Sequence, residues 1–315
     1  MPSPEWLIER GIGEIRAVLV EDGRIVEARI IREGLVPAGT VLEAGLKSTG
    51  RNAVAVAGGQ EYLLPKGAPG ITEGATLNIE VTREALGGSE TWKRALARAT
   101  EEASRPASGP KGREVPFPNQ ADPLEAAGWS DLLDEARSGI IAFPGGELRV
   151  SLTPAMTLID VDGHLPPAEL AVAGARAAAQ AIRRHGVGGS IGVDLPTVEG
   201  KAARQAAAEA VEAVLPKPFE RTAVNGFGFL QIVRPRSHAS LFELAAQPAA
   251  FEARALLRRA GREVGAIRLA AHPMVIAALE AKSDWIELLS RQVGGTVTLR
   301  GDPSLAMSAG HADQA

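Results

Sequence analysis

Residues 13–33, GEIRAVLVEDGRIVEARIIRE, alternate apolar and polar side chains in two β-branched runs around an acidic Gly turn. That pattern predicts a β-hairpin that opens a sheet. Four short strand-like pieces follow within 37–98, GTVLEAGL, NAVAVAGG, EYLLP and ATLNIEVTRE, punctuated by Gly, Pro and Asn. Strands that short, at that spacing, predict a small barrel. Residues 101–123 carry five prolines, few aliphatic side chains and no period, so they read as a linker or extended strap.

The clearest patterning lies beyond the strap. LEAAGWSDLLDEARSG reads as one helix or two short ones, and GELRVSL and AMTLIDVDG as a strand pair. PAELAVAGARAAAQAIRRHG reads as a helix stopped by Gly186, GGSIGVDLP as a strand, and EGKAARQAAAEAVEAVLPKP as a second helix. FERTAVNGFGFLQIVRPR supplies two more strand-like pieces. Strands alternating with helices imply crossover connections and some parallel pairing. The chain then repeats the theme on a small scale. AAFEARALLRRAGREV is a helix, AIRLAAHP a strand, MVIAALEAKSDWIELLSRQVG helical and TVTLRGD a strand, with PSLAMSAGHADQA frayed at the end.

Two of these strands end in acids. Side chains two apart on a strand share a face, so Leu158, Asp160 and Asp162 point one way and Thr157, Ile159 and Val161 the other. In SIGVDL, Asp194 faces away from Ile191 and Val193 in the same manner. Asp160 and Asp194 are 34 residues apart, about one strand, crossover helix and strand. Neighbouring strands would bring both to one carboxyl edge, where open sheets hold their ligands. Carboxylates that close repel unless a proton or cation lies between them, and magnesium suits a site of one or two carboxylates that keeps its waters. Taken alone, DVDG reads more readily as an Asp-capped turn; the partner GVDLP at crossover distance is what points to a metal. A calcium loop of the EF-hand type does not fit, because Gly163 comes two positions early and Ala171 stands at the twelfth.

Other chemistry is thin. His164 and His185 flank the crossover and read as solvated loop residues, and His272 in LAAHP as a cap at a strand end. GGSIG and GGTVT precede strands, so neither is a phosphate-cradling loop. No Ser or Cys nucleophile motif and no H-E-x-x-H occurs. Arg234 and Arg236, at a strand end, are candidates to meet phosphates. Asn225 and Phe227 in VNGFGF either line a groove or make a turn with a core aromatic.

Composition narrows the classes. The 315 residues suggest two or three compact units. Only 4% are aromatic against 45% hydrophobic, so the core rests on Ala, Val, Leu and Ile. The absence of cysteine excludes disulfides and thiolate zinc sites. No apolar run follows a basic start, and none reaches about 18 residues, so the expectation is a cytoplasmic protein with no membrane partner. The net charge of −4 offers no overall basic surface. Locally, residues 217–263 hold eight Lys and Arg against four Glu, either a solvated face or a phosphate-contacting strip.

GGELRVSLTPAMTLIDVDG, GVGGSIGVDLP and RTAVNGFGFLQIVRPR resemble, in order and spacing, the catalytic core of the ribonuclease E/G family. The match over 145–236 is the specific part; GEIRAVLVEDGRIVEARI, residues 37–98 and AIRLAAHPMVIAAL are similar more loosely. The resemblance implies an α/β fold: a mixed-sheet nuclease core of the DNase I-like or RNase H-like type, an OB-fold barrel insertion and a small α/β C-terminal domain. The corresponding boundaries are a hairpin joining the core sheet at 1–36, an OB-fold-like RNA-binding domain at 37–98, a Pro-rich linker at 99–123, the core at 124–245, the small domain at 246–302 and a disordered tail at 303–315.

The resemblance further implies Mg2+ held by Asp160 and Asp194, with Asp162 at the position of a supporting Asn. It implies an endoribonuclease that cuts single-stranded RNA with magnesium-activated water and leaves a 5′ phosphate. The departures are as specific. The segment carrying the family's 5′-end sensor is replaced by the Pro-rich stretch, and the zinc-linking cysteines are absent, leaving a monomer or weak homodimer with no zinc link. Ala171 and Ala173 stand for Asn and Glu, and LPTV follows Asp194 in place of a further acid. Leu63 stands at the stacking Phe of the barrel, and only Lys93 could serve as its phosphate-contacting Lys. The alternatives are a degenerate member that binds RNA or a protein partner without cutting, and a phosphatase or sugar-phosphate enzyme using the same acids.

Overall fold

The computed structural model describes residues 3–86, 93–116 and 121–314. The chain is mixed α/β with several sheets and a closed five-strand barrel. It divides into two compact units, one of residues 1–33, 112–130 and 244–315, the other of 34–111 and 131–243.

In the first unit the predicted hairpin is a meander of three strands, β1 (Glu5–Gly11), β2 (Glu14–Glu21) and β3 (Arg24–Arg32). It does not join the core sheet as expected. It forms its own four-stranded sheet, in which β9 (Arg113–Val115), from the supposed linker, pairs parallel to β1. The strap is therefore partly a strand; its residues 117–120 lie outside the described ones. A second sheet, β16 (Ile267–Ala271) between β17 (Val297–Gly301) and β18 (His311–Gln314), packs with α6 (Pro248–Ala260), α7 (Pro273–Glu280) and α8 (Ser283–Val293). The expected disordered tail is thus corrected. Residues 311–314 extend the sheet antiparallel to β16, whose free edge supplies backbone partners that a polar sequence does not advertise. His272 caps α7, its Nδ1 accepting from the Met274 amide at 3.2 Å.

An ion network lies at the heart of this unit. Glu9, fully buried on β1, accepts from Arg16 Nη1 at 2.8 Å and from Arg258 at 2.8 and 3.1 Å. Asp122, the N-cap of α1 (Pro123–Ala126), accepts from Arg258 at 2.8 Å and stands 2.9 Å from Arg262. The basic excess read over 217–263 is therefore not one phosphate strip, because Arg258 and Arg262 turn inward to neutralise carboxylates.

The second unit holds the barrel and a six-stranded sheet. The barrel strands are β4 (Val41–Ser48), β5 (Ala53–Ala57), β6 (Gln60–Leu64), β7 (Thr76–Arg83) and β8 (Ala95–Thr100). They close in the order β4-β5-β6-β8-β7 around Leu46, Tyr62, Leu64 and Ile79, with β6 and β8 parallel. Small alanines at 44, 53, 55, 95 and 97 fill the rest of the interior, which suits so narrow a barrel.

The sheet runs β10 (Ile140–Phe143), β11 (Gly146–Leu152), β12 (Thr157–Gly163), β13 (Gly189–Asp194), β15 (Phe229–Arg234), β14 (Glu220–Arg221). β12 and β13 are parallel and joined by α3 (Pro167–Arg184), while the other pairs are antiparallel. One face is covered by α3, on which a Cβ at Gly174 would stand 2.2 Å from Val161. Glycine there lets helix and sheet approach closely. The alanines of α3 meet those of α4 (Lys201–Glu212) in the same economical way. His185 is not a solvated loop residue. It is fully buried, stacked on Phe242 with centroids 4.5 Å apart and Nε2 3.2 Å from Glu135.

Candidate active site

The acids stand exposed on the second face of the six-stranded sheet, the one turned away from α3. β12 places Thr157, Ile159 and Val161 inward against α3 and leaves Asp160 and Asp162 exposed. It ends at Gly163, where a Cβ would lie 2.3 Å from the Gly145 carbonyl oxygen, and the two prolines that follow start α3. β13 buries Ile191 and Val193 and leaves Asp194 exposed. It stops before Pro196, which has no amide to continue a ladder.

Asp160 and Asp194 are register partners across the parallel β12/β13 pair. Their backbones are therefore about 4.8 Å apart and their side chains leave the sheet on one side. On the outer flank, Arg149 of β11 is the register partner of Asp160 and Glu147 that of Asp162. The Arg149 guanidinium is bonded to Glu147 at 2.5 Å. On the inner flank Phe229 of β15 is opposite Asp194. Its ring lies across β13: a Cβ at Gly192 would stand 2.5 Å from the Phe229 ring and 2.9 Å from Leu158. Below the acids the face is thus a flat apolar shelf of Leu158, Gly192 and Phe229. The glycine inside the apolar run SIGVD was the sequence signal for it.

Partial burial, then the charges of Asp162 and Asp194, push the Asp160 carboxyl above its ordinary value, while the Val161 amide and Arg149 act against them. A carboxyl raised in the fold costs stability once it ionises; that cost is absent below the ordinary carboxylate range, where folded and unfolded forms are both protonated, and is fully present at neutral pH. Asp160→Asn is therefore expected to raise the melting temperature at pH 7, with a gain that disappears as pH falls below about 4. Melting curves of both proteins across that range check it.

The donor set fits a hard divalent cation. Two oxygen donors are in register, exposed and mutually repelling, and Asp162 is on the same face. Among the described residues no group of three or more His, Asp or Glu closes around a point as a self-sufficient metal cage. A pair of carboxylates with water completing the shell is a mode that magnesium commonly uses.

The remaining sequence candidates are placed elsewhere or differently. Arg234 is the register partner of Gly189, at the opposite end of β13 from Asp194, about 17 Å along the strands. Its Nη1 donates to the Val187 carbonyl at 3.2 Å, and Arg236 is paired with Glu243. Lys93 precedes β8 in the barrel, with its carbonyl accepting from the Leu86 amide at 3.3 Å. Asn225 and Phe227 are brought to the acid edge by the turn into β15. Phe227 is not a core aromatic, being 83% exposed.

Among the described residues no helix is long and apolar enough to cross a membrane. No protein-family model matches the chain, and no curated protein matches it.

Proposed function

We propose that this chain is a magnesium-dependent endoribonuclease of the ribonuclease E/G type, cutting single-stranded RNA internally and leaving a 5′ phosphate. The observation that carries the reading is the in-register pair Asp160 and Asp194 at the carboxyl ends of two parallel strands joined by a helix. The barrel supports it: five strands, closed, inserted before the sheet and paired parallel between the third and fifth, as in an OB-fold. The mixed six-stranded sheet, helix-covered on one side, supports the nuclease core.

Magnesium, when bound, activates water and offsets charge on the reacting phosphate. The chain's own part is to hold the cation through Asp160 and Asp194 and to keep the sheet face beside them open and shallow. Asp162 adds negative charge on the same face. Arg149, fixed by Glu147, stands beside Asp160 and limits repulsion of the phosphate. A shallow face receives an extended strand more readily than a small ester. The groove of about 660 Å³ lined by Phe143, Leu165, Val172, Arg176 and Ala203 belongs to the helix-covered side, away from the acids.

One observation favours the second reading, an RNA- or partner-binding member that does not cut. Among its described residues the barrel presents no exposed aromatic, since Tyr62 is buried, so no base-stacking face is seen there. Incubation of an end-labelled single-stranded RNA with magnesium decides between them. Internal cuts that stop with excess chelator, and that spare a duplex, are expected. Stable binding with no cutting would establish the second reading instead.

A further inference from the structure

Among the described residues Phe227 is the most exposed of the large hydrophobic side chains at 83%, yet its backbone is held by several hydrogen bonds. Asn225 Oδ1 accepts from the amides of Phe227 at 2.9 Å and Phe229 at 3.0 Å. Thr197 Oγ1 donates to the Phe227 carbonyl at 3.2 Å. Gly228, at φ +91°, presses so closely on the loop after Asp194 that a Cβ would lie 2.1 Å from the Leu195 carbonyl oxygen. The Leu195 amide donates to the Gly228 carbonyl at 3.2 Å. The turn is thus bonded to the loop leaving β13 and delivers its ring to solvent two residues from Phe229, the register partner of Asp194.

At that exposure the ring buries little of its surface against the described residues. Its position suits a ligand that is flat and neutral where it touches Phe227 and anionic where it meets a cation at the acids. A nucleotide has both properties. Acids repel bare phosphate, so a strand drawn to this edge needs an attraction that is not electrostatic, and stacking of an unpaired base on an aromatic face supplies one. Among the described residues of the barrel no aromatic is exposed, Tyr62 being buried.

We infer that Phe227 is the base-stacking residue of this site. The base adjoining the phosphate that meets a cation at Asp160 and Asp194 leaves its neighbours and lies on the Phe227 ring, beside the shelf of Leu158, Gly192 and Phe229. The inference rests on the nuclease reading for its phosphate, and it assigns a part in single-strand recognition to the sheet edge.

The test uses the full-length chain with Phe227→Ala, Phe227→Leu and Phe227→Trp. On a single-stranded RNA, Phe227→Ala is expected to raise KM by about 5- to 150-fold, the range of one lost base stack, with kcat held within about twofold. Phe227→Trp is expected to restore KM and Phe227→Leu to leave it raised, since an apolar side chain without a π face does not stack. The magnesium-induced rise in melting temperature should be the same in all variants. Independently of cutting, an oligonucleotide carrying 2-aminopurine should be quenched on binding to the native chain and not to Phe227→Ala. Cutting with an unchanged KM in Phe227→Ala would overturn the inference and leave the nuclease reading intact. Phe227-dependent quenching with no cutting would sustain stacking and overturn the nuclease reading. Rescue by Leu as complete as by Trp, or loss of self-association in Phe227→Ala with RNA binding unchanged, would make the ring a protein contact and overturn the inference.

Discussion

Asp194→Asn is expected to cut single-stranded RNA about a thousandfold more slowly than the native chain, since a catalytic metal contributes several kcal/mol and each 1.36 kcal/mol is tenfold. The substitution preserves shape and removes only charge. Asp194 is exposed at the end of β13 and its strand is anchored by Ile191 and Val193, which are fully buried, so the fold has no reason to fail. Removing one of three neighbouring negative charges also relieves Asp160, whose carboxyl Asp194 helps to push upward. The variant should therefore melt no lower than the native chain while losing the stabilisation that millimolar magnesium confers. Initial rates, with melting temperature measured with and without magnesium, check both halves. A variant that still cuts at the native rate would remove this acid from the chemistry.

The largest effect on stability is expected at Glu9. Its carboxylate, fully buried, serves Arg16 and Arg258 by hydrogen bonds and stands 3.5 Å from Arg262. Glu9→Ala leaves three guanidinium groups crowded without their central anion, two of them almost fully buried. Breaking a buried pair from one side costs about 3–5 kcal/mol, because the remaining charge stays out of water. Arg10→Ala, one residue on, breaks only the exposed pair with Glu114 and should cost at most about 1 kcal/mol. Denaturant unfolding of the two variants side by side checks the contrast. An equal small loss from both would mean that water reaches the network.

Glu9 also shows what the sequence hides. In EWLIERG it looks like any polar strand residue, and its partner Arg258 is 249 positions away. The Asp pair was legible because its two rules are local: alternation gives the face and crossover length gives the neighbour. β9 and β18 were not legible, since each is a short polar segment that becomes a strand only because an edge stands ready for it. For the same reason the N-terminal hairpin was assigned to the wrong sheet, as its own residues do not say which edge they will meet. The basic residues of 254–262 looked like a surface because charge patterns carry no direction. Phe227 was ambiguous between core and groove, and only its exposure at the acid edge separates the two.

The unit containing Glu9 is stitched from three separate stretches of the chain. At about 5–20 residues per second of synthesis, some 10–50 s pass between the emergence of Glu9 and that of Arg258. Throughout that interval Glu9 has Arg16 as a partner but neither Arg258 nor Arg262, and by its end both stretches of the other unit have emerged. The barrel and the acid-bearing sheet therefore have every opportunity to form first, and the ends of the chain come together last.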